Sequence, residues 1–244
     1  MAPLLRSLAA LFFALGAAGC ATGSGRASAT TDPNDPYEVQ NRKVFELNQS
    51  LDKHVALPVA KFYVHAVPEP AREGIHNFLV NLDVPVTFAN DVLQGEVKRA
   101  GQTLGRFTVN STVGIGGLVD VAAKIGIPEH KADFGETLAV YGVGEGPYLV
   151  LPLLGPSNPR DAVGYGVDIA LDPSTWITWR SSTYFKLGRG TLDLIDERAR
   201  NIDTLNEIER SSVDLYATLR SLYRQHRQAE INHGNADIQN LPNF

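Results

Sequence analysis

The side chains best suited by type to chemistry are six histidines and a group of carboxylates beside one of them. His54, His65 and His76 recur every eleven residues, which would align three imidazoles on one uninterrupted helix as metal ligands. Pro58, Pro68 and Pro70 fall between them and break such a helix, so structural or surface roles are the better account. His130, Asp133 and Glu136 have the types of an acid–base group. Three residues apart near a helix start, the two acids are better read as caps of the helix that follows. No GxSxG elbow, HExxH zinc motif or GxxxxGK[ST] phosphate loop occurs. Gly114-Ile115-Gly116-Gly117 and the glycines at 142, 144 and 146 fall short of a dinucleotide fingerprint after a strand. Catalytic residues, a metal site and a cofactor are therefore all left unassigned.

With no chemistry elsewhere, the stretch from Tyr141 to Asp161 becomes the organising feature. Gly142, Gly144 and Gly146 precede an uncharged apolar run, Pro147 to Leu154, that closes on Gly155-Pro156. The run is too short to cross a bilayer, which needs roughly 20 apolar residues. It is either a buried strand-like plug or a movable apolar loop hinged on glycine.

The elements around it read as short amphipathic helices. Asp35-Pro36-Tyr37-Glu38 has the form of an N-cap, a first-turn proline and a first-turn acid. Helices follow around 58–66, 70–82, 84–93, 96–110 and 117–125, cut by proline and glycine. Ile75, Phe78, Leu79 and Leu82 form one apolar stripe, and Pro85, Phe88, Ala89, Val92 and Leu93 another. Such helices can lie in a membrane interface with one face in lipid. Asn158-Pro159-Arg160-Asp161 predicts a further helix towards Leu171. Trp176 and Trp179, three apart, suit either a lipid–water boundary or a helix-packing core. The most charged part, 188–233, predicts C-terminal helices that break near Ser211-Ser212, with Ser212 as a cap. Arg220, Arg224 and Arg227 share one face there, either to dock an acidic partner or lipid phosphates, or to serve the helix dipole and solubility.

The ends carry targeting information. Residues 1–19 have a short n-region with Arg6, an apolar h-region and small residues before Cys20, the form of an export signal. Cys20 is the one cysteine in the chain, so an intramolecular disulfide is excluded. Following Ala17-Ala18-Gly19, it reads as an acylated N-terminus, with residues 20–34 as a flexible tether and Ala21 pointing to the outer membrane. Residues 35–233 form the folded domain and 234–244 a disordered tail. The formal charge of -5, or -6 without Arg6, gives no general basic field for nucleic acid.

Several blocks in order carry a family resemblance: DPYEVQNRKVFELNQSLD from Asp35, VPEPAREGIHNFLVNLDVPVTFANDVLQG from Val67, GRFTVNSTVGIGGLVDVA from Gly105, and DFGETLAVYGVGEGPYLVLPLLGPSNPRD from Asp133. Together with the tryptophan pair they identify the chain as similar to the MlaA (VacJ) outer-membrane lipoproteins. The resemblance implies a mainly α, ring-like array of short amphipathic helices in the inner leaflet of the outer membrane, with C-terminal helices facing the periplasm. It also implies a central amphipathic channel that removes mislocalised phospholipids from the outer leaflet. Its implied partners are phospholipids, a trimeric porin, a periplasmic lipid-binding carrier and an inner-membrane ABC transporter. On this picture Tyr141, Gly142, Gly144, Gly146, Pro147, Tyr148, Leu149, Val150, Leu151 and Pro152 form a hairpin-like lipid-path loop. Phe78, Leu79, Phe88, Trp176 and Trp179 then face the membrane interface, and Arg220, Arg224 and Arg227 face a partner. A lipoprotein that braces a porin or envelope complex without moving lipid is the alternative.

Overall fold

The computed structural model describes residues 32–178 and 182–233. The expected signal segment, Cys20, most of the tether, Trp179 and the tail from 234 lie outside the described residues. The chain divides into two units, 1–36 and 37–244, and the architecture that follows is that of the second.

Helix α1 (Glu38–Leu51) begins three residues after Asp35, with Tyr37 at the N-cap position and no side-chain cap. The expected cap at Asp35 is thus corrected; Glu38 instead pairs with Arg42 one turn on, at 2.8 Å. The chain then stays helical through a π-helical turn, Asp52–Ala56, into α2 (Leu57–Ala66). Pro58 therefore does not end the helix. The wider turn absorbs it: Leu57 N–H already donates five residues back, to Asp52 O, so the missing proline donor falls where the ladder has shifted. Helix α3 (Glu69–Leu93) runs straight through Pro85, where two helices were expected. It is packed by helices on several sides, and tertiary contact outweighs one lost backbone bond.

Gly95, at φ 77°, makes the turn into α4 (Val97–Thr112). The expected helix over 117–125 shrinks to α5 (Val121–Lys124), capped by Asp120, because Ile115, Gly116 and Gly117 all take positive φ. Helix α6 (Phe134–Val140) is capped by Asp133, as expected. A hairpin follows, β1 (Leu149–Leu151) antiparallel to β2 (Gly155–Ser157), with Val150 opposite Pro156. Helix α7 (Pro159–Leu171) starts as its sequence predicts, with Asn158 accepting from Asp161 N at 2.8 Å. The rest comprises α8 (Pro173–Trp176), α9 (Ser182–Arg200), α10 (Ile202–Ser211) and α11 (Leu215–Ile231). The break at Ser212 is present, but the cap of α11 is Asp214, whose carboxylate accepts from Ala217 N.

The fold is mainly helical, and no helix among the described residues is long and apolar enough to cross a membrane. Packing neighbours close on themselves: α1 meets β1, β2 meets α11, α11 meets α6, α6 meets α7, α7 meets α3, α3 meets α9, and α9 returns to α2. Burial in this circuit is inverted relative to a water-soluble domain. Among the described residues the buried polar and charged side chains, including Asn90, Asp91, Arg106, Glu136 and Arg227, outnumber the buried apolar ones. Large apolar residues such as Phe62, Val97, Tyr184 and Trp176 are exposed instead. Exposed apolar surface on this scale marks a surface that meets protein or lipid.

Helices α6 and α7 cross with their backbones in close approach. A Cβ on Gly164 would lie 2.7 Å from the Cα of Gly135, backbone against backbone. Gly164→Ala must therefore force the two helices apart, and is expected to cost at least about 1–3 kcal/mol. A fall in the thermal unfolding midpoint in detergent checks this.

Candidate functional site

Three helices each turn one face to the same cavity. Helix α3 contributes Val80, Asp83, Val84 and Thr87, helix α7 Tyr165, Asp168, Ile169 and Asp172, and helix α9 Lys186, Arg189, Gly190 and Asp193. The intervals in every case are three, four and seven, the repeat that stacks side chains along one helical face. The segment 129–133, Thr103 and Arg106 of α4, Glu136 and Glu230 complete a space of about 720 Å³. Val80, Val84, Val86, Tyr165 and Ile169 are apolar; apart from Ala132 and Gly190 the remainder is charged or polar.

The charged wall is held by its own pairs. Arg189 bridges Asp172, at 2.6 Å, and Asp83. Arg106 donates to Ile127 O at 2.7 Å, Asp120 at 2.8 Å and Glu129 at 3.0 Å. His130 does not join Asp133 and Glu136; its Nε2 meets fully buried Asp91 at 2.9 Å, beside the Thr103 hydroxyl. Asp168 accepts from Asn90 and from Phe134 N, fixing α7 against α3 and the start of α6.

Among the acids that border the cavity Glu136 is the most buried, at 2% exposed. Burial first, and then neighbouring Asp133, push its carboxyl up to about 8. Beneath it lies Arg227, bidentate to Asp133 at 2.6 Å on both nitrogens, 2.9 Å from Asp161 and 3.5 Å from Glu136. Burial would raise Asp161, but hydrogen bonds from Tyr223 and Arg160 and the Arg227 charge hold it low.

The cavity thus mixes apolar and charged side chains supplied by α3, α7 and α9. The family model described as MlaA lipoprotein matches residues 33–230. The chain belongs to that family. A protein of Escherichia coli K12 named intermembrane phospholipid transport system lipoprotein MlaA is 36% identical over 226 residues, covering 90% of this chain and 88% of the relative. One of the same name from Haemophilus influenzae is 34% identical over 231 residues, covering 93% and 90%. An uncharacterised Rickettsia bellii protein is 36% identical over 210 residues, covering 86% and 81%. A solved structure, from work on the structural basis for maintenance of bacterial outer membrane lipid asymmetry, superposes with a TM-score of 0.72 at 34% identity, covering 81% of this chain and 99% of that one.

In this member of the MlaA family the expected lipid-path loop is a hairpin, yet none of its residues borders the cavity. Tyr148 and Val150 are buried with Tyr216, and Tyr148 meets the Tyr216 ring edge-on at 6.0 Å. Helix α1 clamps the hairpin with two side-chain amides two turns apart. Asn41 donates to Tyr148 O and accepts from Val150 N, both at 3.0 Å, and Asn48 treats Leu151 O and Leu153 N alike at 2.9 Å. Each amide thereby stands in for a peptide of a third strand. The plug reading fits Tyr148 to Leu151, while Leu153 and Leu154 at the tip are exposed. Gly142 and Gly146 take positive φ, 83° and 74°, so they shape turns; Gly144 does not.

The other expected residues divide. Phe78 is exposed and Phe88 half-buried, but Leu79 is core at 3% exposure and cannot face a membrane. Trp176 is 71% exposed with its indole N–H donated to Ala170 O at 2.7 Å, which excludes a core role. Arg227 is turned inward and is no partner-facing residue; the stripe fails there because α11 packs on α6 through it. Arg224 reaches Glu145 at 3.2 Å, and Arg220 lies over Tyr216. Neither the Asn41–Asn48 pair nor the Gly135–Gly164 crossing entered the sequence reading, although the seven-residue asparagine spacing is visible in the sequence.

Two outcomes are expected from the acid network. Because the folded pKa of Glu136 lies at about 8 against 4.5 for an ordinary glutamate, the folded state holds a proton that the unfolded chain releases. That contribution is complete below 4.5 and is lost as pH rises to about 8. Relative to Glu136→Gln, the wild-type unfolding midpoint should therefore fall over that window. Arg227→Met strands Asp133 and Asp161, and should destabilise by about 3–5 kcal/mol at neutral pH, read by chemical denaturation.

Proposed function

We propose that this chain works in the bacterial envelope as a passive phospholipid conduit that serves outer-membrane lipid asymmetry. It takes mislocalised phospholipids from the outer leaflet and hands them to a periplasmic lipid-binding carrier, in company with a trimeric porin. The domain sits at the periplasmic side of the outer membrane, held there by acylation at Cys20. The observation that carries this reading is the cavity itself, where apolar Val80, Val84, Val86, Tyr165 and Ile169 line the same space as charged Asp83, Lys131, Glu136 and Arg189. A phospholipid needs both, because its headgroup buried without polar partners would cost several kcal/mol. The apolar exterior, with Phe62, Val97 and Trp176 exposed, suits lipid around the helices. The names of the Escherichia coli and Haemophilus influenzae relatives, and the subject of the solved structure, support the same direction of function. The sequence contains no GxxxxGK[ST] loop, so transport energy comes from partners, and no catalytic step is assigned to any residue.

Filling the cavity tests the conduit. Val84→Trp with Ile169→Trp, expressed in cells lacking the native copy, should raise surface-exposed phospholipid and detergent sensitivity at unchanged protein level. Intact lipid asymmetry with the filled cavity would instead favour a purely bracing lipoprotein.

A further inference from the structure

One wall of the cavity is built to move. We infer that the first turns of α9, residues 182–187, form a lid on the cavity, hinged at Gly188 and Gly190 and latched by Arg189. This rests on the phospholipid reading above and names the part of the wall that yields as a lipid passes.

The first support is the glycine pair. Gly188 and Gly190 lie inside a helix of 19 residues, where glycine is the least favoured residue after proline because it has the most backbone freedom to lose. Neither is required by its surroundings. A Cβ at either position would meet nothing within 4 Å, whereas one on Gly135 or Gly164 would collide. Nor does either take the positive φ of Gly142 or Gly146. Two glycines without a packing or backbone reason weaken the helix at one place, as a hinge requires.

The second support is how the two halves of α9 are held. Beyond the glycines, buried Asp196 accepts from the Tyr63 hydroxyl at 3.1 Å and meets His76 Nδ1 at 2.8 Å, Arg198 donates to Asp52 at 2.6 Å, and Arg200 reaches Glu73 at 3.1 Å. That half is fastened to α2, α3 and the π-helical turn. Ahead of the glycines, Lys186 donates to Thr175 O at 2.8 Å; between them, Arg189 donates to Ser174 Oγ at 3.0 Å, to Asp172 at 2.6 Å and to Asp83. Both cations border the cavity, and Tyr184 and Leu187 on the same turns are exposed. A segment tied by polar bonds at a rim opens before one tied to a buried group. The third support is size. About 720 Å³ is room for a drug-sized ligand, for which pockets run roughly 300–1,000 Å³. A two-chain phospholipid is larger, so one side has to give way as a whole lipid passes, and α9 is the side with a hinge.

The test uses the full chain in detergent micelles and in cells. Amide hydrogen exchange should run about ten-fold faster at 183–187 than at 191–200. Gly188→Ala with Gly190→Ala should slow the first set several-fold and raise the unfolding midpoint, because alanine favours the helix and neither methyl meets an obstacle. Arg189→Gln should speed the same amides and leave 191–200 unchanged; no change at 183–187 overturns the latch. In cells lacking the native copy, the alanine pair should raise surface-exposed phospholipid at unchanged protein level. Gly188→Ala alone, at a position that does not border the cavity, should act in the same direction; an effect confined to Gly190→Ala is obstruction and overturns the lid. Uniform exchange along α9, or slowed exchange with lipid asymmetry intact, overturns the lid and leaves the conduit standing. The conduit itself fails separately, by intact asymmetry in the cavity-filling Val84→Trp with Ile169→Trp chain.

Discussion

Arg227 is the contact on which the circuit of helices closes. It lies on the last described helix and reaches the acid that caps α6, Asp133, and the first-turn acid of α7, Asp161. One turn earlier on α11, Tyr223 adds a hydroxyl to Asp161 at 2.6 Å. A buried guanidinium is tolerable only when its charge is met, and here both terminal nitrogens donate to Asp133, Nη2 donates also to Asp161, and Nε lies 2.9 Å from Asp161. Gly135 has no side chain because one would collide with the Arg227 guanidinium and the Asp161 carboxylate. Cap, glycine and ion cluster therefore form one constraint. It brings residue 227 to residue 133 across 94 positions of sequence.

That constraint explains how a domain with so few buried apolar side chains holds together. Its interior is built of hydrogen-bonded and charged pairs: Asp91 with Thr103 and His130, Asp196 with Tyr63 and His76, and Asn90 with Asp168 and Thr137. In water such an interior would gain little from the hydrophobic effect, which scales with apolar area removed from solvent. The apolar area here lies outside, on Phe62, Val97, Leu104 and Trp176. Lipid around those faces would remove them from water as a core does in a soluble protein. Helices satisfy their own backbone groups, so short ones can lie in that setting without crossing it.

How much of this was legible in the sequence depended on whether the signal was local. The α7 start at Asn158-Pro159 and the Asp133 cap were readable because a cap acts within three residues. Pro58 and Pro85 misled because their cost is local while the packing that outweighs it comes from distant helices. The Arg220–Arg224–Arg227 stripe was correct as a helical face, but helical spacing cannot tell which face turns inward. The cavity was invisible for the same reason. Each of α3, α7 and α9 shows a quartet at intervals of three, four and seven, yet nothing in any one quartet indicates that the other two face it. The family resemblance supplied lipid handling and an amphipathic channel; it placed the path at the hairpin, where the chain instead has core.

The hairpin and the cavity wall differ in how firmly they are held. A loop that opens and closes must have few bonds to break. The hairpin from 149 to 157 has its own ladder, four bonds from two asparagine amides, and two aromatic contacts to Tyr216 and Tyr223 through Tyr148. It belongs among the better anchored elements of the fold, with only the Leu153-Leu154 tip free of the core. The cavity walls are different in kind. Their charged groups are paired in short bridges, such as Arg189 between Asp83 and Asp172. The hairpin and the cavity wall thus differ: the first joins α1 to α11, and the second is a set of paired charges and apolar side chains lining one space.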